Sequence, residues 1–152
     1  MIPVPKSQVE SVVGPIIGGQ ADQYGFTGKE ISEHMVKSLV SCYENKTMFS
    51  YVDSLENTQA CLICGYSFSM MFPGTHITGY LIWVAPELRG TKAGFAKVKE
   101  MMTTLEDFGK MFNAKSIMVG AWLFRDKGPN SKKLWPRFGY EPQELVMVKE
   151  LK

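Results

Sequence analysis

The sequence predicts an α/β fold, a mixed central sheet with helices on both faces, in one domain over residues 1–152. Three observations carry this prediction. Apolar residues recur at helical spacing in three stretches, beginning near Val9, Ile31 and Phe95. Between the second and third lie three strand-length runs, 48–53, 60–72 and 77–84, joined by the turn-like Leu55-Glu56-Asn57 and Pro73-Gly74. The chain then alternates strand and helix, giving the order β-α-α-β-β-β-α-β-α-β, which a sheet covered on both faces accommodates.

Ile2 to Val4 form a short edge strand, kept short by Pro3 and Pro5. Ser7-Gln8-Val9-Glu10 has the capping-box form, and Val9, Val12, Val13, Ile16 and Ile17 follow helical spacing. Pro15 is expected to break or kink this helix, and Gly18-Gly19 to end it. A second box runs from Thr27 to Glu30. Ile31, Met35, Val36, Leu39 and Val40 then make one apolar stripe that fades by Asn45. Short links between the next three strands predict an antiparallel meander. A long helix over 92–112 follows, with Phe95, Val98, Met102, Leu105 and Phe112 on its apolar face. The remainder reads as a strand over 116–123, a short helix distorted by Pro136, and a closing strand over 145–151.

Composition bounds the function. At 152 residues the chain can bury a substantial core, and its 45% apolar content is ordinary for a globular protein. A net charge of +2 gives no electrostatic footprint for nucleic acid, and the Lys and Arg residues between Arg125 and Arg137 read as a solvated face. No apolar run reaches membrane-spanning length, and the first residues lack a signal-peptide core. Three cysteines, an odd number, argue against a disulfide framework and fit a reducing compartment. The expected location is cytoplasmic, with neither nucleic acid nor membrane as a partner.

The chemistry concentrates in residues 80–98. An apolar strand ending at Val84 turns at Pro86, passes Arg89-Gly90 and becomes a helix at Thr91. The first amides of a helix have no partner inside it, and its dipole favours negative charge there. Gly90 and Gly94 leave room for a ligand to approach the backbone, and Arg89 and Lys92 add charge. The expected guest is a phosphate or pyrophosphate.

This segment resembles motif A of the GNAT superfamily, the acyl-CoA-dependent N-acyltransferases, whose pattern is Val-x-Pro-x-x-Arg-Gly-x-Gly-x-Gly/Ala. Val84, Pro86, Arg89, Gly90 and Gly94 fit the pattern, and Lys92 stands at the middle glycine. Residues 130–140 resemble the family's motif B through Asn130, Gly139 and Tyr140, with Trp135 at the usual tyrosine. The resemblance implies a GNAT-like fold and acetyl-CoA as acyl donor to an amine, small molecule or protein; a homodimer is compatible with it. It implies CoA contacts at Val84, Arg89, Gly90, Thr91, Lys92, Ala93, Gly94, Asn130 and Trp135. It also implies splayed strands around motif A, with the pantetheine arm pairing with backbone near Trp83 to Ala85. Tyr24 and Phe26, between the first two helices, would line the acceptor site. The N-terminal half also resembles the small acetyltransferase-like proteins of bacteriophages.

Amine acylation moves two protons. A lysine-like amine, with a pKa of about 10.4, must lose one to become a nucleophile. A thiol pKa of about 8.5 makes the CoA thiolate a tolerable leaving group even without a dedicated acid. Tyr140 and Tyr80 are candidates for the donor. Glu87, His76, Asp53 and Glu56 are candidates for the base, alongside a water relay. An inactive GNAT-fold protein with a binding or structural role is the alternative, suggested by Lys92 and Trp135. Cys61 and Cys64 are expected to be core residues holding no metal, since residues three apart on a strand face opposite sides.

Overall fold

The structure, a computed structural model, describes residues 1–23, 29–67, 73–119 and 133–141. The chain divides into two compact units, residues 1–120 and 121–152. The first holds a five-stranded sheet in the order β1 (Ile2–Pro3), β2 (Met48–Val52), β3 (Ala60–Ser67), β4 (His76–Val84) and β5 (Ser116–Val119). Neighbours pair antiparallel up to β4, and β4 pairs with β5 in parallel. The meander, the short edge strand and the mixed sheet are as the sequence predicts. Residues 68–72, 120–123 and 145–151, expected to extend or add strands, lie outside the described residues.

Helices α1 (Val9–Gln23) and α2 (Lys29–Glu44) cover one face. Val9, Val13, Ile16 and Ile17 of α1 and Val36 and Leu39 of α2 form a core with Val52, Cys61 and Ile63, and Leu81 and Trp83 pack against it. Helix α3 (Lys92–Met111) covers the opposite face through Met101, Met102, Leu105 and Phe108, with the Phe108 ring 5.1 Å from Phe49 of β2.

Three local expectations are corrected. Helix α1 runs through Pro15 and past Gly18-Gly19 to Gln23. Pro15 and Ser11, whose carbonyl loses its intrahelical donor, are both exposed, which leaves that oxygen open to solvent. Burial of four large apolar residues outweighs the glycine penalty of about 1 kcal/mol each. Ser7 does not cap this helix; it lies inside a 3-10 turn, Lys6–Gln8. Met35 and Phe95, expected on apolar stripes, are 47% and 40% exposed.

Strand β4 carries a bulge that the sequence reading missed. Its register against β3 steps from Ile63↔Leu81 to Cys64↔Gly79, whereas β3 runs without a break against β2. Tyr80 is therefore the extra residue. The bulge explains why Leu81 faces α1 and α2 while Gly79, two residues away, faces α3. A Cβ built on Gly79 would lie 3.2 Å from Leu105 Cδ2. Residues two apart on a regular strand would share a face. A glycine inside a strand pattern was the available signal.

Candidate functional site

The end of β4 positions the site. The Ala85 amide donates to Gln59 O at 2.9 Å, and Cys61 pairs with Trp83. Backbone groups alternate between the two edges of a strand. Trp83 and Ala85 therefore direct theirs at β3, and Ile82 and Val84 direct theirs at the opposite edge. Of the backbone expected to meet a pantetheine arm, 83–85, only Val84 faces that edge, together with Ile82, which lies outside the expected stretch. On that edge, the described ladder with β5 covers His76 to Gly79 only. Arg89 reaches the same edge, its Nε donating to Val84 O at 3.0 Å.

A 3-10 turn, Pro86–Leu88, carries the chain from the strand toward α3. Gly90 has φ +78°, the left-handed region that favours glycine. Thr91 is the N-cap of α3. Its Oγ1 accepts from the Gly94 amide at 3.0 Å, and its hydroxyl donates to Leu88 O at 2.7 Å. The Thr91 amide also donates to Leu88 O, at 3.1 Å. Thr91 and Gly94 thus build the cap, and their polar groups are engaged there. The amides of Gly90, Lys92 and Ala93 have no hydrogen-bond partner among the described residues. They lie at the positive end of a 20-residue helix, a ready-made anion site. Lys92 is the first helical residue, is exposed and lacks a positive φ, so its position does not demand glycine. Gly94 does demand one, because a Cβ there would lie 2.1 Å from Leu88 O.

Asp53, just after β2, lies at the same end of the sheet. Its Oδ1 accepts from the Gln59 and Ala60 amides, both at 2.9 Å, and its Oδ2 is 2.8 Å from Lys97 Nζ on α3. Burial pushes this carboxyl up, but Lys97 and the two amides outweigh it and hold the pKa below its ordinary value. A carboxylate so engaged is a poor candidate for the base.

The other candidates are scattered. Glu87 is exposed on the 3-10 turn beside the anion site. Tyr80, at the bulge, is 45% exposed, with its hydroxyl 3.4 Å from Tyr66 O; burial raises its pKa, which keeps the phenol protonated. His76 is buried at the far end of β4, eight residues or about 26 Å from Val84, and its Nδ1 lies 2.8 Å from Ser116 Oγ. The structure does not bring it to the turn. In the second unit, residues 133–134 are α-helical, and a 3-10 turn, Trp135–Phe138, with Pro136 inside it, follows and is closed by Gly139 at φ +77°. The Trp135 and Tyr140 rings meet edge-on, 6.3 Å apart. Asn130, Tyr24 and Phe26 lie outside the described residues.

Cys61 packs in the core beneath α1 and α2. Cys64 pairs with Gly79, which faces α3, so the two thiols point to opposite faces. Burial, and for Cys61 also Asp53, pushes both pKa values up to about 12. With the sulfurs on opposite faces of the sheet, the pair cannot close on one ion. Elemental analysis of purified protein should find no stoichiometric zinc held by this pair; zinc that disappears in a Cys61→Ser, Cys64→Ser variant would contradict this. No helix among the described residues is long and apolar enough to cross a membrane.

Comparison with solved structures places the fold. A predicted acetyltransferase with acetyl-CoA from Clostridium acetobutylicum superimposes with a TM-score of 0.75 at 13% identity, over 97% of this chain and 93% of that one. An acetyltransferase from Trypanosoma brucei gives 0.67 at 11% identity, over 98% and 96%. An integron cassette protein from a salt-marsh metagenome gives 0.67 at 13%, over 99% and 88%. The chain therefore has the GNAT-like acetyltransferase fold, a mixed sheet with helices on both faces. No family model and no curated protein sequence matches it.

Proposed function

We propose that the protein is an N-acetyltransferase that moves the acetyl group of acetyl-CoA to an amine. The observation that carries this reading is the turn between β4 and α3. It presents amides at Gly90, Lys92 and Ala93 that have no partner among the described residues, a glycine at 94 that only hydrogen fits, and a strand edge at Ile82 and Val84. Pyrophosphate takes the amides and the Lys92 ammonium, and the pantetheine arm lies along the edge. The acetyl-CoA bound to the Clostridium protein of the same fold supports this choice of donor.

The reaction joins the amine nitrogen to the thioester carbonyl carbon. The C–S bond then breaks, the sulfur leaves as thiolate, and the nitrogen, neutral on attack because its ammonium proton has gone to solvent, sheds one further proton. Glu87, exposed beside the turn, takes that proton directly or through water. The thiolate then takes up one proton; the resemblance alone names Tyr140 as a candidate donor. Trp135 has no titratable group and packs against Tyr140 instead. The acceptor is a small molecule or a protein amine. The compartment we propose is cytoplasmic, in keeping with three free cysteines.

Release of free thiol from acetyl-CoA, assayed against polyamines, aminoglycosides, lysine peptides and peptide N-termini, tests the reading. Turnover should appear with at least one amine class and fall by about 10²-fold or more in Glu87→Gln. CoA binding with no turnover across the panel would favour the binding-protein alternative.

A further inference from the structure

The Asp53 carboxylate joins the two elements that frame the turn. On one side it holds the Gln59 and Ala60 amides, and the Gln59 carbonyl in turn holds the Ala85 amide, the first residue past β4. On the other side it pairs with Lys97, one and a half turns into α3. Strand β2 runs parallel to β4, because each is antiparallel to β3, so Asp53 and Val84 share one end of the sheet. A single side chain, only 6% exposed, thus connects the strand end to the second turn of the helix.

We propose that Asp53 is a positioning residue for CoA: through Gln59 and Lys97 it fixes the spacing between the end of β4 and the N-terminus of α3 at which the free amides converge on phosphate. The inference rests on the CoA reading given above. Its physical basis is that amides recognise phosphate only when several point at one position, and a helix N-terminus that drifts by an ångström loses that convergence. Lys97 therefore acts on CoA through the helix it anchors, not as a ligand.

The sign of one substitution separates this role from plain electrostatics. CoA is a polyanion, so removing a nearby carboxylate should tighten its binding if charge alone matters. The clamp requires the reverse. Calorimetric titration of CoA into folded wild type, Asp53→Asn, Lys97→Met and the double variant, well below each melting point, reads the difference. Asparagine can still accept from both amides but loses the ion pair. Each single variant should bind CoA about five- to tenfold more weakly, and the double variant no more weakly than either single. Tighter binding in Asp53→Asn would overturn the proposal. So would unchanged affinity accompanied by a lowered melting point, which is the result a merely structural ion pair gives. Failure of the wild type to bind CoA would instead overturn the underlying reading.

Discussion

Acetyl-CoA or CoA at a hundred times its dissociation constant should raise the melting point by roughly 5–10 °C. A ligand that binds only the folded state adds about 2.7 kcal/mol at that concentration. In a chain of this length each kcal/mol moves the midpoint by roughly 2–4 °C. Desulfo-CoA should do nearly as well, because the thiol is not part of the phosphate site. Lys92→Glu is the informative variant. Position 92 is the first residue of α3 and exposed, where a carboxylate suits the helix dipole and should leave or slightly raise the stability of the free protein. The same carboxylate faces the phosphates and should cut the ligand-induced shift by half or more. Stability of the free protein and response to CoA thus move in opposite directions, which a general folding defect cannot produce. No shift with any CoA species at millimolar concentration, on demonstrably folded protein, would remove the acetyl-CoA reading.

The sequence carried the architecture because its signals there are periodic and local. The 3.6-residue pattern located α2 and α3, and the apolar runs with their turn residues located β2, β3 and β4. It failed where packing overrides local preference. Pro15 and Gly18-Gly19 read as helix breakers, yet α1 continues because its other face covers the sheet. The candidate site was half legible. Gly90 and Gly94 announced a tight turn, and the structure assigns them different tasks, a positive φ at one and a backbone crossing at the other. The Tyr80 bulge was hidden because it is a register event between strands, visible in sequence only as Gly79. Asp53 is a base candidate in the sequence only as a carboxylate. Its engagement by two amides and Lys97 depends on residues 6, 7 and 44 positions away, which no local pattern reports.

Gly94→Ala should be among the most damaging single-methyl additions in the chain, and the effect should precede any ligand. The carbonyl of Leu88 passes so close to the first turn of α3 that a Cβ on residue 94 would lie 2.1 Å from its oxygen. That oxygen cannot simply swing away, since it accepts from both the amide and the hydroxyl of Thr91. Relief requires moving α3, whose second turn is held by the Asp53–Lys97 pair, or opening the Thr91 cap. Overpacking of this kind costs about 3 kcal/mol, against the gain of about 1 kcal/mol that alanine normally brings over glycine inside a helix. The melting point should fall by roughly 4–8 °C, the net cost being about 2 kcal/mol. Gly19→Ala is the control: a Cβ there meets nothing within 4 Å, so stability should hold or rise. The contrast also bears on how the anion site is probed. A larger residue at 94, such as glutamate, would abolish CoA binding by displacing the turn, whatever its charge, so loss of binding in that variant says little about phosphate. If Gly94→Ala melts at the wild-type temperature and still responds fully to CoA, the close crossing of Leu88 over α3 is not a feature of the protein in solution, and the geometry assigned to the amides of Lys92 and Ala93 falls with it.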